Sequence, residues 1–179
     1  MRVFVAVEVF DDGVVSSIVG LQSKIKIQAK PVLPQNLHFT LQFLGEISEN
    51  DVEKIRQSLR SIKFSPFKIK FKGIGTFPNM RSPRVIWIGT DKDSANSLLE
   101  LARKVEEVLS PLGFMSDKSF KPHLTIFRIK NKIGNVSKDL EKFEMYDCGS
   151  QEIFNIKLKQ SILTPKGPLY SDIEVIKSQ

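Results

Sequence analysis

The sequence predicts an α+β fold in which helices cover an antiparallel or mixed sheet. Short runs that alternate apolar and polar residues recur along the chain, stretches with helical periodicity lie between them, and several strand pairs are joined by short turns rich in Pro or Gly. The chain has 179 residues, of which 41% are hydrophobic. This is enough for one domain with a substantial core, or for two small lobes.

The first half of the chain alternates strands and helices. A β-rich run covers residues 2–9, and Asp11 then caps a helix with apolar residues at helical spacing up to residue 25. Residues 37–43 alternate strictly, which predicts a strand. Ser48 marks the start of a second helix, which continues to residue 59.

The strand at 37–43 has two predicted faces, because successive side chains of a strand point in opposite directions. One face would carry the apolar side chains Leu37, Phe39, Leu41 and Phe43. The other would carry the polar side chains His38, Thr40 and Gln42.

The second half of the chain contains more strands than helices. Its clearest helix is predicted at residues 95–109, and a weaker one at 136–143. Strands are predicted at 64–77, 84–89, 122–127, 154–163 and 169–176.

The charge and the cysteine content limit the functional class. The formal net charge is +7, which favours an anionic partner such as nucleic acid, although a lysine-rich solvated surface explains it equally well. The single cysteine, Cys148, has no intramolecular disulfide partner and lies near no catalytic group in sequence. No apolar stretch is long enough for a signal peptide or a membrane span, so we expect a cytoplasmic protein.

The chain contains two histidines, and both occur in the same motif, His-apolar-Thr-apolar. The motifs are His38-Phe39-Thr40-Leu41 and His123-Leu124-Thr125-Ile126, each on a predicted strand. Residues i and i+2 of a strand share a face, so each His should project beside its Thr. Two such strands side by side would place two imidazoles and two hydroxyls around one cleft, as an internal repeat with a pseudo-twofold axis.

Phosphodiester chemistry suits this arrangement. Opening a cyclic phosphate requires one group that takes a proton from water and another that gives a proton to the leaving alkoxide, and imidazole can perform either task near neutral pH. Thr hydroxyls can donate to the non-bridging oxygens, on which negative charge develops. No metal or other cofactor is needed, and two His with one Cys do not form a usual zinc site.

The sequence resembles the two-histidine (2H) phosphoesterase superfamily, and within it the RNA 2′,3′-cyclic phosphodiesterases, also called 2′-5′ RNA ligases. Besides the paired motifs, the segments at 2–7, 43–45 and 83–87 carry the resemblance, which covers nearly the whole chain. It implies a bilobal fold in which residues 1–179 form one domain of two similar lobes. Each lobe would contribute a mainly antiparallel sheet with outer helices and one His-x-Thr strand to a central cleft.

The resemblance also implies the reaction and the role of each residue. Terminal 2′,3′-cyclic phosphate of RNA, with tRNA fragments among the expected substrates, would be hydrolysed to 2′-phosphate, and reverse 2′-5′ ligation would be a second activity. His38 would be the proton donor and His123 the proton acceptor, while Thr40 and Thr125 would bind the phosphate. Arg128 would also bind it, although strand parity aims residue 128 away from His123 unless a bulge intervenes. We expect a monomer.

Other assignments stay open at this stage. Candidates for stacking on a base are Phe10, Phe43, Phe127 and Tyr170, and the arginines at 81 and 84 are candidates for contact with an RNA backbone. Two alternative functions are a non-catalytic RNA-binding module of the same fold and a phosphodiesterase that acts on a small cyclic-phosphate nucleotide.

Overall fold

The computed structural model describes all 179 residues, which form nine strands and four α-helices. The strands are β1 (Arg2–Glu8), β2 (Lys30–Pro31), β3 (His38–Glu46), β4 (Phe67–Phe77), β5 (Val85–Thr90), β6 (Leu124–Arg128), β7 (Asp147–Ile153), β8 (Asn155–Thr164) and β9 (Gly167–Lys177). The helices are α1 (Asp12–Lys24), α2 (Glu49–Leu59), α3 (Lys92–Leu109) and α4 (Ser137–Leu140). None of them has the length and the continuous apolar character that a membrane-spanning helix requires.

The strands form two sheets in which every pairing is antiparallel. Sheet A has four strands in the order β3-β1-β8-β9, and sheet B has five in the order β2-β6-β5-β4-β7. The predicted α+β class with two antiparallel sheets is therefore confirmed. The first His-x-Thr strand, β3, is at the edge of sheet A, and the second, β6, is inside sheet B.

Each of the three long helices begins at a capping side chain. Asp11 accepts from the backbone N–H of Val14, Ser48 from that of Asp51, and Asp91 from that of Ser94, which satisfies an N–H that the first turn leaves without a partner. The cap at Asp91 also explains why α3 begins at Lys92, three residues before the predicted start.

The helices connect the two sheets through one core. α1 follows β1 of sheet A but packs on β6 and β7 of sheet B, whereas α3 follows β5 of sheet B and contacts both β3 and β4. The buried apolar residues accordingly form one continuous cluster of 38 residues. Because the lobes share this core, the division of the domain into two similar lobes stays an interpretation.

Two strands lack a recognisable sequence signal. β2 is only two residues long and forms by pairing with β6. β7 contains mostly polar residues and Gly149, whose φ of +97° interrupts regular alternation, so the strand depends on its pairing with β4.

Candidate active site

A cleft with a volume of about 1820 Å³ lies between the two sheets. Its lining includes all five residues that the sequence predicts for catalysis or phosphate binding, namely His38, Thr40, His123, Thr125 and Arg128. The first two come from β3, and His123 immediately precedes β6, which carries the other two. The two motifs, 85 positions apart in the chain, therefore meet at one site.

Both histidine rings are oriented in the same way by the backbone two residues earlier. Nδ1 of His38 lies 2.7 Å from the carbonyl oxygen of Asn36, and Nδ1 of His123 lies 2.6 Å from that of Lys121. A carbonyl oxygen only accepts hydrogen bonds, so Nδ1 carries a proton in both rings. Nε2 is consequently the nitrogen that gains or loses a proton in each ring.

The environment of Nε2 differs between the two histidines. Nε2 of His38 lies 3.0 Å from the hydroxyl oxygen of Thr40, whose O–H donates to it when the imidazole is neutral. Nε2 of His123 has no hydrogen-bond partner within the protein. The repeat is thus symmetric in how it holds Nδ1 but not in what faces Nε2.

Aromatic rings restrict both imidazoles. The ring of His38 meets Tyr170 edge-on at 5.3 Å between centroids and packs beside Phe4 at 5.1 Å. The ring of His123 meets Phe77 edge-on at 4.9 Å. Together with the Nδ1 hydrogen bonds, these contacts limit rotation of the rings and hold Nε2 in place.

Burial favours the neutral form of both imidazoles. It lowers the pKa of His38 to about 4, with the nearby positive charges of Arg128 and Lys159 acting in the same direction and the hydrogen bond to Asn36 opposing them. Burial also lowers the pKa of His123, with Arg128 again contributing. Arg128 therefore acts electrostatically on both histidines, and both are neutral at pH 7 when no anion is bound.

A β-bulge in β6 places Arg128 in the cleft. On β5, Val85 pairs with Arg128 and Trp87 pairs with Thr125, so the register shifts by one residue between them. Val85 and Trp87 lie two residues apart and share a face, and cross-strand partners share a face as well. Arg128 is thereby brought to the side of Thr125, by the bulge that strand parity requires.

A second bulge corrects the predicted faces of β3. The register with β1 skips Leu41, so Phe43, Thr40 and His38 pair with alternate residues of β1 and share one face. The prediction that Phe43 lies with the core residues is wrong, because its side chain is 66% exposed at the cleft. Gln42 pairs with Val5, so the prediction that it shares a face with His38 and Thr40 is wrong as well. It is buried and its amide donates to the carbonyl of Phe114, although it still contributes to the lining of the cleft.

Four charged side chains form an ion-pair network on the cleft face of sheet A. Lys157 and Lys159 each contact both Glu8 and Asp172, and Lys159 is buried. Glu8 pairs in register with His38 across β1 and β3. The network neutralises the carboxylates on this side of the cleft, and sequence spacing could not reveal it because its members come from three strands.

The remaining candidates divide according to position. Phe43 and Tyr170 line the cleft, whereas Phe127 is buried in the core and Phe10 lies outside the cleft. Likewise, the arginine at 84 lines the cleft and the one at 81 does not.

Cys148 is buried away from the cleft, and burial raises the pKa of its thiol to about 11. No group of three or more His, Cys, Asp or Glu side chains is arranged to hold a metal ion.

Comparison with known proteins identifies the family. The profile described as "LigT like Phosphoesterase" matches residues 9–87. A protein of Archaeoglobus fulgidus named RNA 2′,3′-cyclic phosphodiesterase is 44% identical over 179 residues, which cover 99% of this chain and 100% of the relative. The chain belongs to the LigT-like phosphoesterases. A second relative with the same name, from Methanocaldococcus jannaschii, is 42% identical, and the match covers 99% of this chain and 99% of the relative.

Solved structures agree with this assignment. The crystal structure of TT0787 of Thermus thermophilus superposes on this phosphoesterase with a TM-score of 0.78 and 29% identity, covering 99% of this chain and 97% of the other. The structure of E. coli LigT complexed with 3′-AMP has a TM-score of 0.79 at 21% identity, with the same coverage, which shows a shared fold. The 2H resemblance seen in the sequence is confirmed.

The groups that orient the histidines of this phosphoesterase were not among the residues predicted from sequence. Asn36 and Lys121 occupy the same position, two residues before each motif, so extending the repeat by two residues would have found them. No sequence signal marks Phe77 as the ring that packs against His123.

Proposed function

We propose that this chain is an RNA 2′,3′-cyclic phosphodiesterase that converts the terminal cyclic phosphate to a 2′-phosphate. The names of its relatives support the proposal, as does the cleft. The observation that carries it is that two imidazoles, each held through Nδ1 by a backbone carbonyl, share one cleft with Arg128. The arrangement provides two proton-transfer groups and a cation for an anionic substrate.

In the proposed reaction, a water oxygen attacks phosphorus while the bond between phosphorus and the 3′ oxygen breaks. Nε2 of His123 takes the proton from the attacking water, and protonated Nε2 of His38 gives its proton to the departing 3′ oxygen. The 2′ ester bond is retained. One cycle leaves His123 protonated and His38 neutral, so proton exchange with solvent restores the starting state.

Thr40, Thr125 and Arg128 would stabilise the charge that develops on the non-bridging oxygens. The hydroxyls donate neutral hydrogen bonds, and the guanidinium of Arg128 donates charge-assisted ones. When the phosphate is bound, the Thr40 hydroxyl is free to turn from Nε2 of His38 toward a phosphate oxygen, because a protonated Nε2 no longer accepts its hydrogen.

Substrate binding would set the protonation state that the reaction needs. Burial and Arg128 keep His38 neutral in the free protein. A phosphate anion offsets the charge of Arg128 and favours the imidazolium form of His38. The donor would therefore become charged when the substrate is in place.

The experiment is to incubate the purified protein with an RNA that ends in 2′,3′-cyclic phosphate, in the presence of EDTA, and to identify the product. We expect a 2′-phosphate end and full activity with the chelator. A 3′-phosphate product would contradict the assigned bond cleavage, and activity that needs a divalent ion would contradict direct histidine catalysis. Reverse ligation, a monomeric state and a cytoplasmic location stay predictions from the sequence.

A further inference from the structure

The cleft continues past Arg128 into a smaller depression with a volume of about 300 Å³. Its lining consists of Gln28, Ala29, Lys30, Arg128, Lys130 and Asn131. Three of these residues, Lys30, Arg128 and Lys130, line the main cleft as well, so the two spaces adjoin at the end of β6. The depression contains hydrogen-bond donors and three cations but no carboxylate.

The cations at this place are not neutralised by the protein. Lys30 of β2 pairs in register with Arg128 of β6, and like charges in directly opposite positions destabilise a sheet. No carboxylate lies within ion-pair distance of Lys30, Arg128 or Lys130. The neighbouring Arg84 donates to the carbonyl of Lys130 and likewise has no acidic partner.

The opposite wall of the cleft has a different character. There the carboxylates of Glu8 and Asp172 each bind both Lys157 and Lys159. Three cations without an acidic partner are therefore grouped at the Arg128 end, whereas the other cleft lysines that lack one, Lys118, Lys121 and Lys166, lie outside the depression. An exposed, uncompensated cluster of this kind attracts an anion.

We propose that the depression is a subsite for the phosphate on the 5′ carbon of the terminal nucleotide, and that in the natural substrate this phosphate is the internucleotide linkage of an RNA chain. The inference rests on the proposed function, in which Arg128 binds the cyclic phosphate. Lys30 and Lys130 flank Arg128, so they meet the next phosphate along the backbone. The subsite makes the enzyme selective for polymeric RNA over a nucleoside cyclic phosphate.

Lys30 is suited to this task because of where its ammonium group lies. Nζ donates to the carbonyl of Lys166 in the turn between β8 and β9, at 2.8 Å, so it spans the mouth of the cleft between the two sheets. An ammonium group has three N–H donors, and two remain for a phosphate.

The test compares the double variant Lys30→Gln/Lys130→Gln with the wild type on four substrates. These are a nucleoside 2′,3′-cyclic phosphate without a 5′ phosphate, its 5′-phosphorylated form, a dinucleotide with a normal linkage, and the same dinucleotide with an uncharged methylphosphonate linkage. The control is Lys92→Gln, an exposed lysine outside the cleft. Melting temperatures verify that each variant is folded.

We expect the double variant to lower kcat/KM on the normal dinucleotide about tenfold, the effect of two solvent-screened charge contacts. The loss should be absent for the methylphosphonate and for the nucleoside cyclic phosphate, and the control should lose nothing. The slope of log KM against log salt concentration should also fall by about 0.7 for each phosphate charge that the variant no longer neutralises.

Several outcomes would overturn the subsite. An equal loss of kcat/KM on all four substrates would mean that the lysines support the catalytic centre. An unchanged kcat/KM on the normal dinucleotide would mean that the lysines do not bind its linkage phosphate. A loss confined to the 5′-phosphorylated nucleoside would assign the subsite to a small nucleotide. If the wild type hydrolyses none of the substrates, it is the proposed function that fails, so the two failures are distinguishable.

Discussion

Arg128 lies on the same face of β6 as Thr125, although three positions separate them in sequence. The register between β5 and β6 shifts by one residue between the two, and this bulge reverses the alternation of side chains. A regular strand would have aimed the guanidinium at the opposite face of the sheet, toward the apolar residues. One unpaired residue thus brings a cation into the cleft that contains both histidines.

Replacing either histidine by alanine should reduce turnover by about 10²–10⁴-fold, because each is proposed to move a proton in the rate-limiting step. The double variant should be little worse than either single variant, since the two residues act as a pair. Steady-state rates on a cyclic-phosphate RNA test this. Near-normal turnover in one variant would remove that histidine from the mechanism.

Both imidazoles should titrate below the ordinary pKa of histidine in the free protein. Because burial lowers the pKa of His38 to about 4 and also lowers that of His123, the kcat/KM profile should be bell-shaped with its maximum below about pH 6.5, the ordinary pKa of imidazole. The kcat profile should lie at higher pH, since the bound anion favours the charged imidazole. NMR can follow the only two histidine signals directly. An ordinary free-protein pKa for His38 would contradict the burial argument.

Arg128→Gln should lower kcat by about 10²–10³-fold, the usual effect of losing a donor to a developing oxyanion. It should also raise the pKa of both histidines in the free protein, because the positive charge of Arg128 lowers both. Arg128→Lys keeps the positive charge but not the planar guanidinium. It should therefore bring the histidine pKa values close to those of the wild type, while kcat recovers only in part. Unchanged histidine titrations in Arg128→Gln would show that Arg128 does not act on both rings.

Thr40→Val and Thr125→Val should each slow the reaction by about one to two decades, since a hydrogen bond to a charged oxygen contributes about 1.5–3 kcal/mol. Thr→Ser should recover much of the rate because the hydroxyl remains. At position 40 the Val variant should also raise the pKa of His38. The Thr40 hydroxyl, 3.0 Å from Nε2, donates to the neutral imidazole, and the variant loses that stabilisation. Full activity in both Val variants would show that the threonine hydroxyls do not bind the phosphate and that these residues serve only to form the strands.

The free energy of unfolding should fall as the pH drops from 6.5 toward 4. In this window the unfolded chain protonates His38 while the folded protein, with a pKa of about 4, resists it, so the unfolded state binds more protons. The loss amounts to at most roughly 3 kcal/mol for this residue. Urea unfolding at several pH values tests it, and His38→Gln should flatten the decline. If the free energy of unfolding of that variant falls equally, the pH dependence comes from other groups, such as Glu8 and Asp172, whose pKa values are lowered in the folded protein.

The sequence by itself determined the α+β class and, through its resemblance to the 2H phosphoesterases, the family and Arg128 as a candidate residue. It also determined the two His and Thr pairs that line the cleft. The repeated motif was sufficient for this because a strand places residues i and i+2 on one face, so each His and Thr pair follows from local geometry. The positions of Asn36 and Lys121, two residues before each histidine, belong to the same local pattern.

Tertiary structure alone decided which strands carry a bulge and which charges meet. The register shifts appear only when β3 pairs with β1 and β6 with β5, and they determine where Phe43 and Arg128 point. The low pKa of His38 likewise arises from burial by residues distant in the chain, including Tyr170. Strand register and burial depend on long-range partners, and the local sequence pattern contains no information about them.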